Sequence, residues 1–142
     1  MTKLQHIILV FLFVGILGLF GCSRNVPLTG TVVFSDDGTP VPRGIVVLST
    51  PTFVAQGSIQ PDGTFTIGST GIDDGLPRGT YTVTVLGVGE VYYTPGPDGR
   101  QNEHRTPLID LKYEDEATSG LSFIVDGKTR TFDIQVDRFG GR

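Results

Sequence analysis

Cysteine is nearly absent. The one copy, Cys22, excludes an intramolecular disulfide framework and a cysteine-based zinc site. Basic residues are outnumbered, eleven Lys and Arg against fifteen Asp and Glu, and the net charge of −4 leaves no basic excess to bind nucleic acid. Charged residues make up only 18 % and are scattered, so a disordered polyelectrolyte is excluded. There is no tryptophan, and beyond residue 22 the only histidine is His104. Its neighbours Glu103 and Arg105 offer neither a catalytic triad nor a histidine metal set. Ser119 stands in Ala117-Thr118-Ser119-Gly120-Leu121, without the two flanking glycines of a nucleophile elbow. No glycine-rich phosphate loop is present. Asp36-Asp37-Gly38 and Asp73-Asp74-Gly75 lack the spacing of a calcium loop and read as Asx turns. The expectation is a protein that is not an enzyme and takes no cofactor and no metal.

What is present begins with an address. Lys3 supplies a small positive region, and Ile7 to Phe20 (IILVFLFVGILGLF) is an uncharged run. Fourteen residues fall short of the roughly 20 of a membrane span but suit the apolar core of a signal peptide. Leu19-Phe20-Gly21-Cys22 resembles a bacterial lipobox. That resemblance implies a diacylglyceryl group on the Cys22 thiol, cleavage before Cys22 and acylation of the new amino terminus. Two or three acyl chains anchor stably where one does not, at about 0.8 kcal/mol per buried CH₂. By the same resemblance, Ser23 next to the cysteine implies the outer membrane over the inner. The expected organisation is a signal peptide at 1–21, a lipidated tether at 22–27, a domain at 28–137 and a frayed tail at 138–142.

The chain beyond Cys22 carries all nine prolines and no helical periodicity. It offers short alternating segments between turns. Strands are predicted at Leu28–Phe34, Gly44–Thr50, Phe53–Ile59, Thr64–Gly68, Thr80–Leu86 and Leu121–Val125, with a return strand that puts Phe132, Ile134 and Val136 inward. Asp126-Gly127 signals a two-residue hairpin between the last two. Seven short strands predict an all-β fold, a β-sandwich. Residues 88–112, with Pro95, Pro97 and a polar tract from Arg100 to Arg105, read as one long loop. A helical turn is predicted around Glu114–Ala117.

Leu28-Thr29-Gly30-Thr31-Val32-Val33-Phe34, Gly38-x-Pro40-Val41 and Gly44-Ile45-Val46-Val47-Leu48 resemble the opening of carboxypeptidase regulatory-like domains. Ile59-x-x-Asp62-Gly63-x-Phe65-x-Ile67 and Leu76-Pro77-x-Gly79-x-Tyr81-x-Val83-x-Val85 resemble their next two blocks. Ile109-x-x-Lys112-Tyr113-x-Asp115-x-Ala117-Thr118-Ser119-Gly120-Leu121 is similar to a block of small secreted lipoproteins of planctomycetes, with Asp110-Leu111 in place of Pro-Glu. The resemblance implies a seven-stranded, transthyretin-like (immunoglobulin-like) sandwich outside the cytoplasm. It implies no catalysis, since these domains act as accessory or stabilising modules.

Two functions are consistent with these residues. One is a non-enzymatic lipoprotein, anchored to the membrane, whose sheet edges or 88–112 segment meet an envelope protein or a glycan. The alternative is a periplasmic carbohydrate- or calcium-binding module using Tyr92, Tyr93 and the Asp-Gly loops. Adjacent aromatics on a strand face opposite ways, so at most one of the two tyrosines is expected in the core. Exposure of either ring beside a concave polar pocket favours the binder; burial of both counts against it.

Overall fold

The computed structural model describes residues 28–68 and 76–141, so the leader, Cys22, the tether and Asp73-Asp74 lie outside the described residues. Alternation of apolar and polar side chains becomes strand wherever one face can be buried. β1 (Leu28–Phe34) buries Leu28, Val32 and Phe34, and its neighbours β4 (Thr64–Ile67) and β9 (Ile134–Val136) add Phe65, Ile67, Ile134 and Val136. These three strands form one sheet in the order β4-β1-β9. The other sheet, β3-β2-β5-β8, comprises β2 (Gly44–Thr50), β3 (Phe53–Ile59), β5 (Gly79–Leu86) and β8 (Leu121–Val125). Val46, Leu48, Ala55, Ile59, Tyr81, Val83, Val85 and Val125 line its inner face. The protein is an all-β sandwich of three strands on four, with one apolar core between the sheets.

One close approach joins the two sheets at a margin. Gly57 of β3 lies against the backbone of Thr66 in β4, where a Cβ would stand 2.9 Å from the Thr66 carbonyl carbon. Within the four-stranded sheet, Tyr81 of β5 lies edge-on to Phe53 of β3, with centroids 6.2 Å apart at 77°, and its hydroxyl donates to the Pro77 carbonyl at 2.8 Å. That bond ties the turn before β5 to the strand. Removing the hydroxyl in Tyr81→Phe strands a carbonyl acceptor and is expected to cost about 1 kcal/mol in urea unfolding, with no change in the slope.

Three expectations need correction. Asp126-Gly127 is not the turn of a hairpin: β8 pairs antiparallel with β5, and β9 pairs parallel with β1 in the opposite sheet. The Asp126 carboxylate accepts from the Lys128 and Thr129 amides, both at 2.8 Å, and turns the chain across the sandwich instead. The helical turn is 3₁₀ and lies earlier, at Leu111–Glu114, because Asp110 accepts from the Lys112 amide at its start. The tail is tied at its beginning, where Phe139 donates to the Leu108 carbonyl and the Arg138 guanidinium lies 3.7 Å from the Phe34 ring centroid.

The strands give the domain two distinct ends. Leu28, Ile67, the 126–131 turn and the start of β5 gather at one, where Gly79 pairs with Val125 and Thr29 bonds Arg130. β5 then runs about 25 Å at roughly 3.3 Å per residue to the other. There Leu86 pairs with Ile45, and Val88, Leu108 and Phe139 are joined through backbone bonds.

Candidate functional site

From that far end rises the segment that reads as a loop in the sequence. It is a ribbon of two antiparallel strands, β6 (Gly89–Pro95) and β7 (Gln101–Pro107), which among the described residues pair only with each other. Its turn closes where Gly96 and Arg100 bond, and Gly99 takes a φ of +78°. Gln101-Asn102-Glu103-His104-Arg105-Thr106 shows no alternation because neither face of the ribbon is buried. The hydrophobic pattern that reveals a strand elsewhere has no cause to exist here. The available signal was the Pro95–Gly99 turn cluster flanked by two segments of equal length.

Tyr92 and Tyr93 are both outside the core, 50 % and 57 % exposed, with Val91 at 45 %. They point to opposite faces of the ribbon and cannot line one site together. On one face Tyr92 stacks on its cross-strand partner His104, centroids 5.0 Å apart and planes within 14°. Thr94 Oγ1 lies 2.8 Å from His104 Nε2. On the other face Tyr93 Oη lies 3.5 Å from Glu103 Oε2, beside the Val91–Arg105 pair. Arg105 reaches back to the body, its Nη2 3.6 Å from Glu114 Oε1. Sequence reasoning missed the role of Glu103 and Arg105, whose charges flank His104 on alternate positions.

The remaining candidates resolve into structural bonds. Asp36 and Asp37 both accept from Arg138, at 2.8 and 2.9 Å, and Thr39 also bonds Asp37. These bonds hold the Asp37 carboxyl down at about 2, the Thr39 bonds contributing most. Ser119 is buried in the turn before β8: its amide donates to the Asp115 carbonyl, and Gly120 follows at φ +64°. Thr118 Oγ1 donates to the Lys112 carbonyl at 2.8 Å. Lys112 and Tyr113 converge on Asp137, with Lys112 Nζ at 2.6 Å and Tyr113 Oη at 3.0 Å, and Ser35 Oγ donates to its other oxygen at 2.7 Å. Among the described residues no three His, Cys, Asp or Glu side chains converge on a metal position, and no buried side-chain polar atom lacks a partner. No helix among them is long and apolar enough to cross a membrane.

No protein-family model matches the chain, and no curated protein matches it. Two solved structures are similar in part. One is BcpA, the major pilin subunit of Bacillus cereus, at 11 % identity and a TM-score of 0.43, over 81 % of this chain and 30 % of that one. The other is a 9R-lipoxygenase from Cyanothece PCC8801, at 16 % identity and a TM-score of 0.33, over 79 % of this chain and 16 % of that one. The chain thus spans less than a third of the length of either.

Proposed function

We propose that this chain is a non-enzymatic lipoprotein: a β-sandwich module of the cell envelope, tethered to the membrane through acylated Cys22, with the outer membrane favoured. The observation that carries the reading is the order of the parts. Lys3, the uncharged run Ile7–Phe20 and Leu19-Phe20-Gly21-Cys22 come immediately before a domain whose first core residue is Leu28. The domain's first described residue, Leu28, lies at the opposite pole from Val88 and Leu108 at the base of the β6–β7 ribbon, so a domain anchored through the chain before Leu28 would present that base away from the point of tethering. The side-chain chemistry around His104, Ser119 and the Asp36-Asp37 pair is consistent with a structural role, since each is engaged by neighbouring side chains or backbone.

The anchor is tested in cells by metabolic labelling with a palmitate analogue and fractionation. Wild type is expected to take up label and to sediment with membranes; Cys22→Ser is expected to take up none and to keep its leader. An unlabelled wild type that still sediments with membranes would sink the reading. A second reading, a glycan-binding module, draws on the exposure of Tyr92 and Tyr93, each a ring able to stack on a sugar.

A further inference from the structure

We propose that β7 is a self-association strand: two copies of this chain pair antiparallel along β7, about a twofold axis between the two His104 residues, and the ribbons merge into one four-stranded sheet.

A two-stranded ribbon is marginal in water, and each of its strands presents an open edge. Residues 101–106 of β7 are all exposed, and its pairing within the described residues is with β6 alone. The register shows which backbone groups face outward. Gly96 bonds Arg100 at the tip and Leu108 bonds Val88 at the base. Antiparallel ladders alternate bonded and non-bonded pairs, so Thr94–Asn102, Tyr92–His104 and Glu90–Thr106 are the bonded ones. The N–H and C=O groups of Gln101, Glu103 and Arg105 therefore turn to the free edge of β7. Those of Val91, Tyr93 and Pro95 turn to the free edge of β6, where proline has no N–H to give.

Charge selects the occupant. Two copies at −4 each repel as wholes, so contact between them needs local matching. A twofold axis at His104 sets Glu103 opposite Arg105 of the partner subunit, and Arg105 opposite Glu103 of the partner subunit. Both pairs fall on the edge-bonded positions, where the backbones exchange N–H···O bonds. Asn102 meets Thr106 of the partner subunit. The same operation on β6 about Tyr92 sets Glu90 opposite Thr94 and matches no charge. The contact of Arg105 with Glu114 uses one corner of a guanidinium that has five donors.

The test uses the full-length chain in detergent, by sedimentation velocity over a concentration series. Wild type is expected to show reversible dimer. E103R and R105E each place like charges opposite one another twice, and are expected to weaken the dimer about tenfold. The double variant E103R/R105E is expected to recover to within about threefold of wild type. Oxidised H104C is expected to give a dimer whose disulfide maps to position 104, because directly opposed side chains at a non-bonded pair are the closest; N102C, far from its own copy, is not. A chain that stays monomeric throughout overturns the proposal. So does a double variant as weak as the singles, or oxidative linkage through Y92C in place of H104C.

Discussion

Gly30→Ala is expected to destabilise the domain by about 3 kcal/mol, the upper end for forcing one extra methyl into a filled space. Gly30 sits mid-strand in β1, opposite Phe65 of β4, and its φ is not in the left-handed region. The constraint is room, not backbone conformation. A Cβ there would stand 2.6 Å from Phe65 Cζ and inside the van der Waals envelope of the Phe132 carbonyl oxygen. Neither can yield. Phe65 is buried, and the Phe132 backbone is held by its amide's bond to the Thr29 carbonyl at 2.9 Å. Gly38 is the control: its φ is +71°, yet nothing lies within 4 Å of a Cβ there, so alanine is expected to cost about 1 kcal/mol from backbone strain alone. Urea unfolding of both variants beside wild type measures the difference. If Gly30→Ala falls within about 0.5 kcal/mol of wild type, the close packing of β1 against residue 132 is wrong.

Acid is expected to release the contact between the 3₁₀ turn and the end of β9. The bonds from Lys112, Ser35 and Tyr113 hold the Asp137 carboxyl down at about 2, against an ordinary 3.8. A carboxyl depressed in the folded state favours folding once both states are ionised, and that contribution is complete above about pH 5. It fades as the pH falls toward about 2, where the folded form takes up its proton. Asp37, held at about 2 by Thr39 and Arg138, adds a parallel loss over the same window. Asp137→Asn should lower Tm near neutrality, since the charge facing Lys112 is gone. Its Tm should converge on that of wild type as the pH approaches 2. Thermal unfolding of both proteins across the acid range checks this; a Tm gap that stays constant down to pH 2 would falsify the assignment.

How much of this was legible depended on whether a segment buries a face. All seven sandwich strands show in the sequence, because Val46, Leu48, Tyr81, Val83 and Val85 must alternate with polar residues to cover a two-sheet core. The ribbon did not show, because solvent on both faces imposes no pattern on residues 101–106. The Asp126-Gly127 turn misled for another reason. Turn chemistry fixes a local reversal and says nothing about which sheet the next strand joins. Of the candidate site, the sequence reading allows one of Tyr92 and Tyr93 in the core, whereas both are exposed, because the ribbon has no buried face. Their partners His104 and Glu103 depend on cross-strand register, which a loop reading cannot supply. Lys112 and Tyr113 stood out in the sequence as part of a specific block, and the structure gives that block a physical task in gripping Asp137.

The parallel pairing of β9 with β1 also bears on how the chain reaches its fold. Thr31 and Asp133, 102 residues apart, are joined by a side-chain bond of 2.7 Å, and Val32 is in register with Ile134. β1 therefore keeps an unsatisfied edge until residues 134–136 are free to move. Contacts of such sequence separation close late and slowly. The neighbouring strands β2 and β3 need only a two-residue turn. Folding should begin in the four-stranded sheet and end with the two termini of the domain zipped together. A chain stopped a few residues short of Ile134 would carry nearly all of the core and still lack the strand that closes it.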